Sequence, residues 1–590
     1  MQAQAGGIGM GGIGNMRRQG LCRLAAAAAL ALAAGMPAGV AAQGVSGDYL
    51  AARAASMEGD FSAAARYYDR TLQHDRERPE LLERATFSHL ALGDIERAAT
   101  LAERLDTLNQ PSQIANLALL AQRLGSEDYA GAIAQIDAGD SVGRIVDGLI
   151  RAWALLGQGD MSDALVAFDE VGEMQGLAPF ATYHKALALA SVGDYEGAET
   201  IFASGALGSV QMTRRAVMAR AEILSQLGRN GEALALIDDA FTAGIDPGLR
   251  ALHDALSEGE AVPFTHAQRA RDGLAEVFYT LAGAFSNEMS EDFLLVYARI
   301  AVHLRPEHVD GLLLTAELLD SLGQHDLAVE AYRKVPRDHP SYHAAELGRA
   351  NSLRVSGRTD AAIEVLESLA QTHGDLPVVM STLGDLMRQQ ERFPDAIRAY
   401  TDAIDSYDEP DRTQWFLYYA RGISQERQGN WQEAEDDFRK ALELNPGQPQ
   451  VLNYLGYSLV EQKVKLDEAL SMIEEAVAAE PDSGYIVDSL GWVLYRLGRY
   501  EEAVDPMERA AELMPIDPVV NDHLGDVYWA VGRTREAEFM WRRALSFVEA
   551  ENVSQDADPD RIRRKLEVGL DAVLAEEGSP PLDVAADGGD

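Results

Sequence analysis

Small and apolar residues return along this chain about every 34 positions, with polar stretches between them in phase. The pattern is clearest near the C-terminus, where Gly422, Gly456, Gly491 and Gly525 are separated by 34, 35 and 34 residues. Twelve or thirteen residues after each comes an alanine (Ala434, Ala469, Ala503, Ala537), and a second follows seven later (Ala441, Ala476, Ala510, Ala544). Pro446, Pro481 and Pro515 close three of the four units. Such a period predicts two short amphipathic helices stacked as a hairpin, with small residues where the helices cross most closely. In the unit from Gly484 to Asp517, Gly491 lies mid-way along the first helix and Gly498 ends it, since glycine accepts a left-handed C-cap at little cost. Tyr500 packs under the turn, and Ala503 and Ala510 let the second helix sit close. Pro515 stops that helix, because proline donates no helical hydrogen bond.

Upstream the phase persists with weaker marks. Gly323 with Ala328, Tyr332 and Pro340, then Gly357 with Ala362 and Leu366, then Gly384 with Ala396, Tyr400 and Ala403, give three further units. Turn glycines and second-helix alanines recur in the N-terminal half at Gly59/Ala64, Gly93/Ala98, Gly159/Ala164, Gly193/Ala198 and Gly228/Ala233, with Asp128, Tyr129 and Ala132 fitting between. These residue types and spacings resemble the tetratricopeptide repeat. They imply an all-α fold, a right-handed α-solenoid of about 12–14 helical hairpins. The expected organisation is a signal peptide over 1–42, a degenerate solenoid over 43–246 and an irregular repeat or hinge over 247–274. Central repeats follow over 275–414, well-matched repeats over 415–550, a capping helix over 551–577 and a disordered acidic tail over 578–590.

Arg17, Arg18 and Arg23, the apolar run Leu24–Ala34 and the small residues Val40, Ala41 and Ala42 read as an export signal cleaved near Ala42. The run is short for a membrane span, and Met16 is an alternative start to Met1. Cys22, the only cysteine, precedes the apolar run, where no lipid attachment is expected, so the mature chain lacks both a lipid anchor and a disulfide framework. The predicted location is the periplasm, peripheral to the outer membrane only through a partner. Net charge is −43, and loss of the three arginines takes it to about −46. That balance argues against binding the backbone of nucleic acid or anionic lipid headgroups; it reads first as a solvated outer surface and, alternatively, as electrostatic selection of a basic partner.

No catalytic motif stands out: there is no His-Glu-x-x-His pair, no phosphate-binding glycine loop and no Gly-x-Ser-x-Gly elbow. His303, His308, His325, His339, His343 and His373 fall at loops and helix ends and are expected to be surface or capping residues rather than metal ligands. Glu435, Asp436 and Asp437 are expected on a solvated face. Neither a metal nor a cofactor is predicted.

In a stack of such hairpins the first helices line the concave side, with positions 2, 5, 9 and 12 of each unit facing the groove and 13 at its edge. Over the last four units these positions give Tyr419, Asn453, Tyr457, Tyr485, Asp488, Trp492, Tyr495, Arg496, Asp522, Asp526 and Trp529. Aromatic rings mixed with Asp, Asn and Arg suit recognition of a peptide. Tyr400, Phe438 and Trp541, at the second-helix packing position, are assigned to the core. The strings Leu452–Leu459, Asp488–Tyr495 and His523–Trp529 resemble a proteobacterial envelope family of long tetratricopeptide proteins, over roughly residues 376–548, with a fainter echo at Ala270–Glu276. Some members are outer-membrane lipoproteins that bring murein-hydrolase substrates to a carboxyl-terminal processing protease. The resemblance implies a non-enzymatic scaffold whose partners are such a protease and its cell-wall hydrolase clients. The alternative is a structural accessory of an envelope assembly or secretion complex.

Overall fold

A computed structural model describes residues 45–579 and 582, except 209, 211–212, 242–245, 408–409 and 549–556. The predicted export segment over 1–42 and residues 583–590 of the acidic tail lie outside the described residues. Every regular element among the described residues is a helix. They pair into fourteen consecutive hairpins, interrupted by the lone helix Pro247–Ser257 and followed by a cap. Two compact units divide between Ser341 and Tyr342.

The small residues do what their spacing requires. In hairpin after hairpin the first-helix glycine faces a bulky second-helix side chain. A Cβ on Gly384 would lie 2.8 Å from the Tyr400 ring, on Gly422 2.7 Å from Phe438, on Gly456 2.7 Å from Ile473 and on Gly491 2.5 Å from Met507. Gly525 meets the Trp541 indole in the same way. Tyr400, Phe438 and Trp541 are fully buried, as expected of core residues. Helix Gly484–Arg496 ends with Gly498 in the left-handed region at φ 76°, and Tyr500–Leu513 begins two residues later.

The first unit departs from an open groove. Helix Ala270–Ala284 packs against Arg144–Gly157 and Ala178–Ser191, and its hairpin partner Glu291–Leu304 packs against Pro79–Leu92 and Gln113–Gly125. All four of those helices are first helices, so the hairpin occupies the face that a solenoid would otherwise leave open. Its residues are core: Leu274, Ala275, Val277, Phe278, Leu295, Val296, Ala298 and Ile300 are fully buried. Gly273 lets the Trp153 indole approach, the Phe87 and Phe293 rings sit 5.6 Å apart, and Arg299 donates to the Ala91 carbonyl at 3.0 Å. The stretch 258–269 leading into the hairpin is irregular rather than helical, and is fastened by Glu222. That carboxylate accepts from Thr265 N (2.7 Å), Thr265 Oγ1 (2.8 Å) and His266 Nδ1 (2.9 Å).

Two details differ from the sequence expectation. The cap is two helices, Pro559–Val568 and Leu570–Glu576, because Gly569 at φ 84° breaks the chain where it crosses the Trp529 ring. Glu435 and Asp437 are not solvated; they are buried against Arg439 and Lys465, and against Arg421, respectively. Both carboxylates have little surface left to solvent, and a carboxylate withdrawn from water calls for a cation beside it.

The close approach yields a prediction. Gly525→Ala should lower stability by about 1–3 kcal/mol through overpacking against Trp541. Gly283→Ala, in a helix and with open space around its Cα, should be neutral or stabilising by about 0.5 kcal/mol. Equal melting temperatures for Gly525→Ala and the parent protein would contradict the packing account.

Candidate functional site

The second unit carries the eleven groove positions; bonds between consecutive first helices take in Asp488, Trp492 and Arg496, and bonds to the cap take in Asp522, Asp526 and Trp529. Each rung joins a carboxylate on one first helix to a donor on the next. Glu426 accepts from Tyr454 Oη at 3.2 Å. Glu461 accepts from Trp492 Nε1 at 3.2 Å and Arg496 at 2.7 Å. Asp488 is bonded to His523 Nδ1 at 3.0 Å. The His523 ring also stacks on Trp492 (3.9 Å, 12°), which stacks in turn on Tyr495 (4.9 Å). Burial opposes the charged form of His523, but Asp488 beside it, with Asp522 and Asp526, outweighs burial and lifts its pKa.

The last rung is closed by the cap. Lys565 is fully buried; its Nζ lies 2.9 Å from Asp522 Oδ2 and 2.6 Å from Asp526 Oδ1. Asp526 also accepts from Trp541 Nε1 at 2.9 Å, and Trp529 Nε1 donates to Asp571 of the cap at 2.9 Å. Burial raises the pKa of Asp522, the neighbouring Asp526 adds to this, and Lys565 opposes both. The cap therefore supplies to Asp522 the hydrogen-bond donor that a following repeat supplies to Asp488. Helical periodicity could find Asp522 and Asp526, but Lys565 is 43 positions from Asp522 and outside the period.

Four candidates lie outside these rungs. Tyr419 packs on Trp415, Phe438 and Tyr454, and its hydroxyl pKa is raised by burial. Asn453 is 7% exposed with Oδ1 unpartnered, Tyr457 is half-buried, and Tyr485 is 40% exposed.

In the first unit the filled groove holds the densest polar cluster. Glu276, fully buried on the inserted hairpin, accepts from Tyr183 at 3.1 Å and from Arg215 at 2.8 and 2.6 Å. His308 Nδ1 accepts a hydrogen bond from the Gly311 backbone N–H, so its Nε2 donates to Glu276 at 3.2 Å. Burial would raise the Glu276 pKa, but Arg215 and His308 hold it well below the carboxylate range. Trp153 donates to His184 Nδ1 (3.3 Å), leaving His184 Nε2 to donate to Thr280 (3.1 Å); burial lowers the His184 pKa to about 4. A cavity of 160 Å³ opens beside this cluster, lined by Arg214, Arg215, Arg305, Asp310 and His339 among others. Arg214 and Arg215 are already held by Asp246, Asp310 and Glu276, so the cluster is a staple between helices.

His308 caps helix Val309–Ser321 as expected, yet it is 2% exposed rather than on the surface. The other histidines of that group are spread out: His325 bonds to Asp320, and His343 and His373 stack at 6.3 Å. Among the described residues no group of three or more His, Cys, Asp or Glu could hold a metal ion. No helix among them is long and apolar enough to cross a membrane.

Comparison with known proteins agrees with the hairpin architecture. The tetratricopeptide-repeat family model matches residues 296–343, 313–377, 381–449, 419–464 and 465–518, and a second tetratricopeptide-repeat model matches 179–288. A tetratricopeptide-repeat-containing protein of Pseudomonas aeruginosa is 26% identical over 156 residues, which is 26% of each chain. A protein O-mannosyl-transferase of Homo sapiens is 26% identical over 182 residues, 30% of this chain and 20% of the relative. The chain thus spans about a quarter and a fifth of the lengths of these two relatives. Among solved structures, the APC/C hetero-tetramer Cut9–Hcn1 aligns over 90% of this chain and 97% of its own at 15% identity and a TM-score of 0.37. A tetratricopeptide repeat protein from Parabacteroides merdae aligns over 44% of this chain and 98% of its own, at 16% identity and a TM-score of 0.36.

Two predictions follow from the buried charges. Lys565→Met should cost about 3–5 kcal/mol in chemical denaturation, because Asp522 and Asp526 lose their cation; adding Asp522→Asn and Asp526→Asn should recover most of it. An unchanged midpoint in the single variant would contradict the rung. For His184, the unfolded chain binds a proton below about 6.5 and the folded one only below about 4. The neutral side chain's contribution is therefore complete above pH 6.5 and lost as pH falls toward 4, by up to about 3 kcal/mol. Glu276 adds to the fall only at the acid end of that window, since its stabilisation begins to fade as pH drops through the ordinary carboxylate value near 4.5 and continues below it. His184→Gln should flatten the fall in stability between pH 6.5 and 4.5, with Trp153 fluorescence reporting local unfolding.

Proposed function

We propose that this tetratricopeptide-repeat protein is a non-enzymatic scaffold of the periplasm that holds protein or peptide partners on the first-helix face of its second unit. The observation that carries the reading is the contrast between the two units. First helices of the first unit are covered by the hairpin 270–304, whereas among the described residues those from Tyr342 to Arg496 have no inserted hairpin over them. Protein binding is what tetratricopeptide repeats suggest.

In this reading the scaffold brings a cell-wall hydrolase to a carboxyl-terminal processing protease and raises the effective concentration of one for the other. Support comes from the resemblance of residues 376–548 to envelope adaptors and from the acidic net charge of −43, which keeps such a scaffold soluble and favours basic clients.

The test is reconstitution from purified components. Protease and hydrolase are incubated with and without the full chain, and hydrolase turnover is followed. At least tenfold faster turnover is expected. Binding of both proteins with unchanged turnover would replace delivery by a structural role in an envelope assembly, and binding of neither would remove the scaffold reading.

A further inference from the structure

Three carboxylates at the end of the second unit are almost sealed from water: Asp488, Asp522 and Asp526 are 6%, 3% and 1% exposed. Two of them meet cations from the cap. Lys565 bonds to both Asp522 and Asp526, and Arg561, shared with Glu577, lies 3.7 Å from Asp526. Asp488 meets neither. Its oxygens lie 3.0 and 3.3 Å from His523 Nδ1, and no lysine or arginine among the described residues is bonded to it. A carboxylate so far withdrawn from water calls for a positive partner, and the imidazole is in place to be that partner.

The other neighbours of the ring favour the same charge. Its face lies on the Trp492 indole at 3.9 Å and 12°, where a cation gains from the π-system. Asp522 and Asp526 stand on its own helix. Beyond Trp492 are Arg496 and Glu461, bonded to each other, and Tyr495, whose hydroxyl pKa is raised by burial. The cations of the cap, Lys565 and Arg561, are both engaged by carboxylates. His308 shows what a similar pairing does beside a guanidinium. It too faces a buried carboxylate, but Arg215 also holds Glu276, and burial together with Arg215 lowers the His308 pKa.

We infer that His523 is a proton-dependent latch: as an imidazolium it ties helix Gly484–Arg496 to helix Pro518–Ala530 and pins Trp492, and on losing its proton it leaves Asp488 buried and uncompensated, so that the last first helix and the cap packed on it loosen. The latch closes on the acid side. Burial lowers the His523 pKa, but Asp488, with Asp522 and Asp526, lifts it past the ordinary 6.5. Its stabilisation is therefore complete below about 6.5 and lost as pH rises through the raised value. His184 in the first unit runs the other way, losing its contribution as pH falls toward 4. Alkali thus loosens the end of the second unit, whereas acid loosens the packing of the hairpin 270–304. Because Trp492 is a groove position, the latch also sets whether its indole is fixed or free where a partner would lie. That last consequence rests on the scaffold reading; the latch itself does not.

The experiment uses the full chain with ¹³C-labelled histidine, titrated by NMR on the alkaline side of neutrality, with His523→Gln identifying the resonance. The His523 signal should keep its imidazolium shift through pH 6.5 and titrate above it. In Asp488→Asn, which keeps the ring and removes its carboxylate, the midpoint should fall by at least about one pH unit. Hydrogen exchange of the same samples, corrected for the intrinsic rate, should show protection in Pro518–Ala530 and Pro559–Val568 dropping at least about tenfold as pH rises through that midpoint. Protection in Arg144–Gly157 should hold over the same range, and His523→Gln should lack the pH dependence. Should His523→Gln fail to fold by circular dichroism, Asp488→Asn and the parent protein decide the matter. A His523 midpoint at or below 6.5, or a titration above it with unchanged protection in both helices, overturns the latch.

Discussion

Everything in this molecule depends on two helices approaching closely enough to make a hairpin that cannot stand alone. Gly384, Gly422, Gly456, Gly491 and Gly525 remove the one carbon that would hold the helices apart, and Tyr400, Phe438, Ile473, Met507 and Trp541 fill the space. A hairpin packed that way still has an apolar face to cover, and only the next hairpin covers it. The period, the stacking and the need for a cap all come from this.

Stacking creates a second demand. First helices that lie side by side bring polar groove residues out of water, where an unpaired carboxylate is costly. The second unit answers with rungs between neighbours: Glu461 to Trp492 and Arg496, Asp488 to His523, Asp522 and Asp526 to Lys565. The first unit answers by insertion, with Glu276 of the hairpin 270–304 set among Tyr183, Arg215 and His308. Both solutions use up groups that would otherwise meet a partner. Val378 and Tyr485 of the second unit stay outside both solutions and remain exposed.

Local features were legible in the sequence. The glycine and alanine phase, the Gly498 cap and the core roles of Tyr400, Phe438 and Trp541 follow from periodicity, because they are decided within one hairpin. Long-range features were not. Ala270–Glu276 reads as a faint repeat echo, yet it is the start of the hairpin inside the first unit's groove, since only tertiary packing brings Glu276 to Tyr183, 93 residues away. The eleven groove positions fall on the expected first helices, but a period cannot tell a residue offered to a partner from one bonded to the next repeat. Trp492 and Asp522 have the same pattern whether they are free or held, and Glu461, His523 and Lys565, which hold them, carry no groove signature of their own.

The central claim is that partners engage the second unit's first helices and leave the filled first groove untouched. Hydrogen exchange of the full chain, alone and with a bound protein partner, tests it most directly. The account predicts new amide protection at the first turns of Pro377–Gln389, Trp415–Arg427 and Gly484–Arg496, with exchange in Pro79–Leu92, Arg144–Gly157 and the hairpin 270–304 unchanged. Loss of protection in the hairpin with gain in Arg144–Gly157 would mean that the partner displaces it, and would contradict the claim.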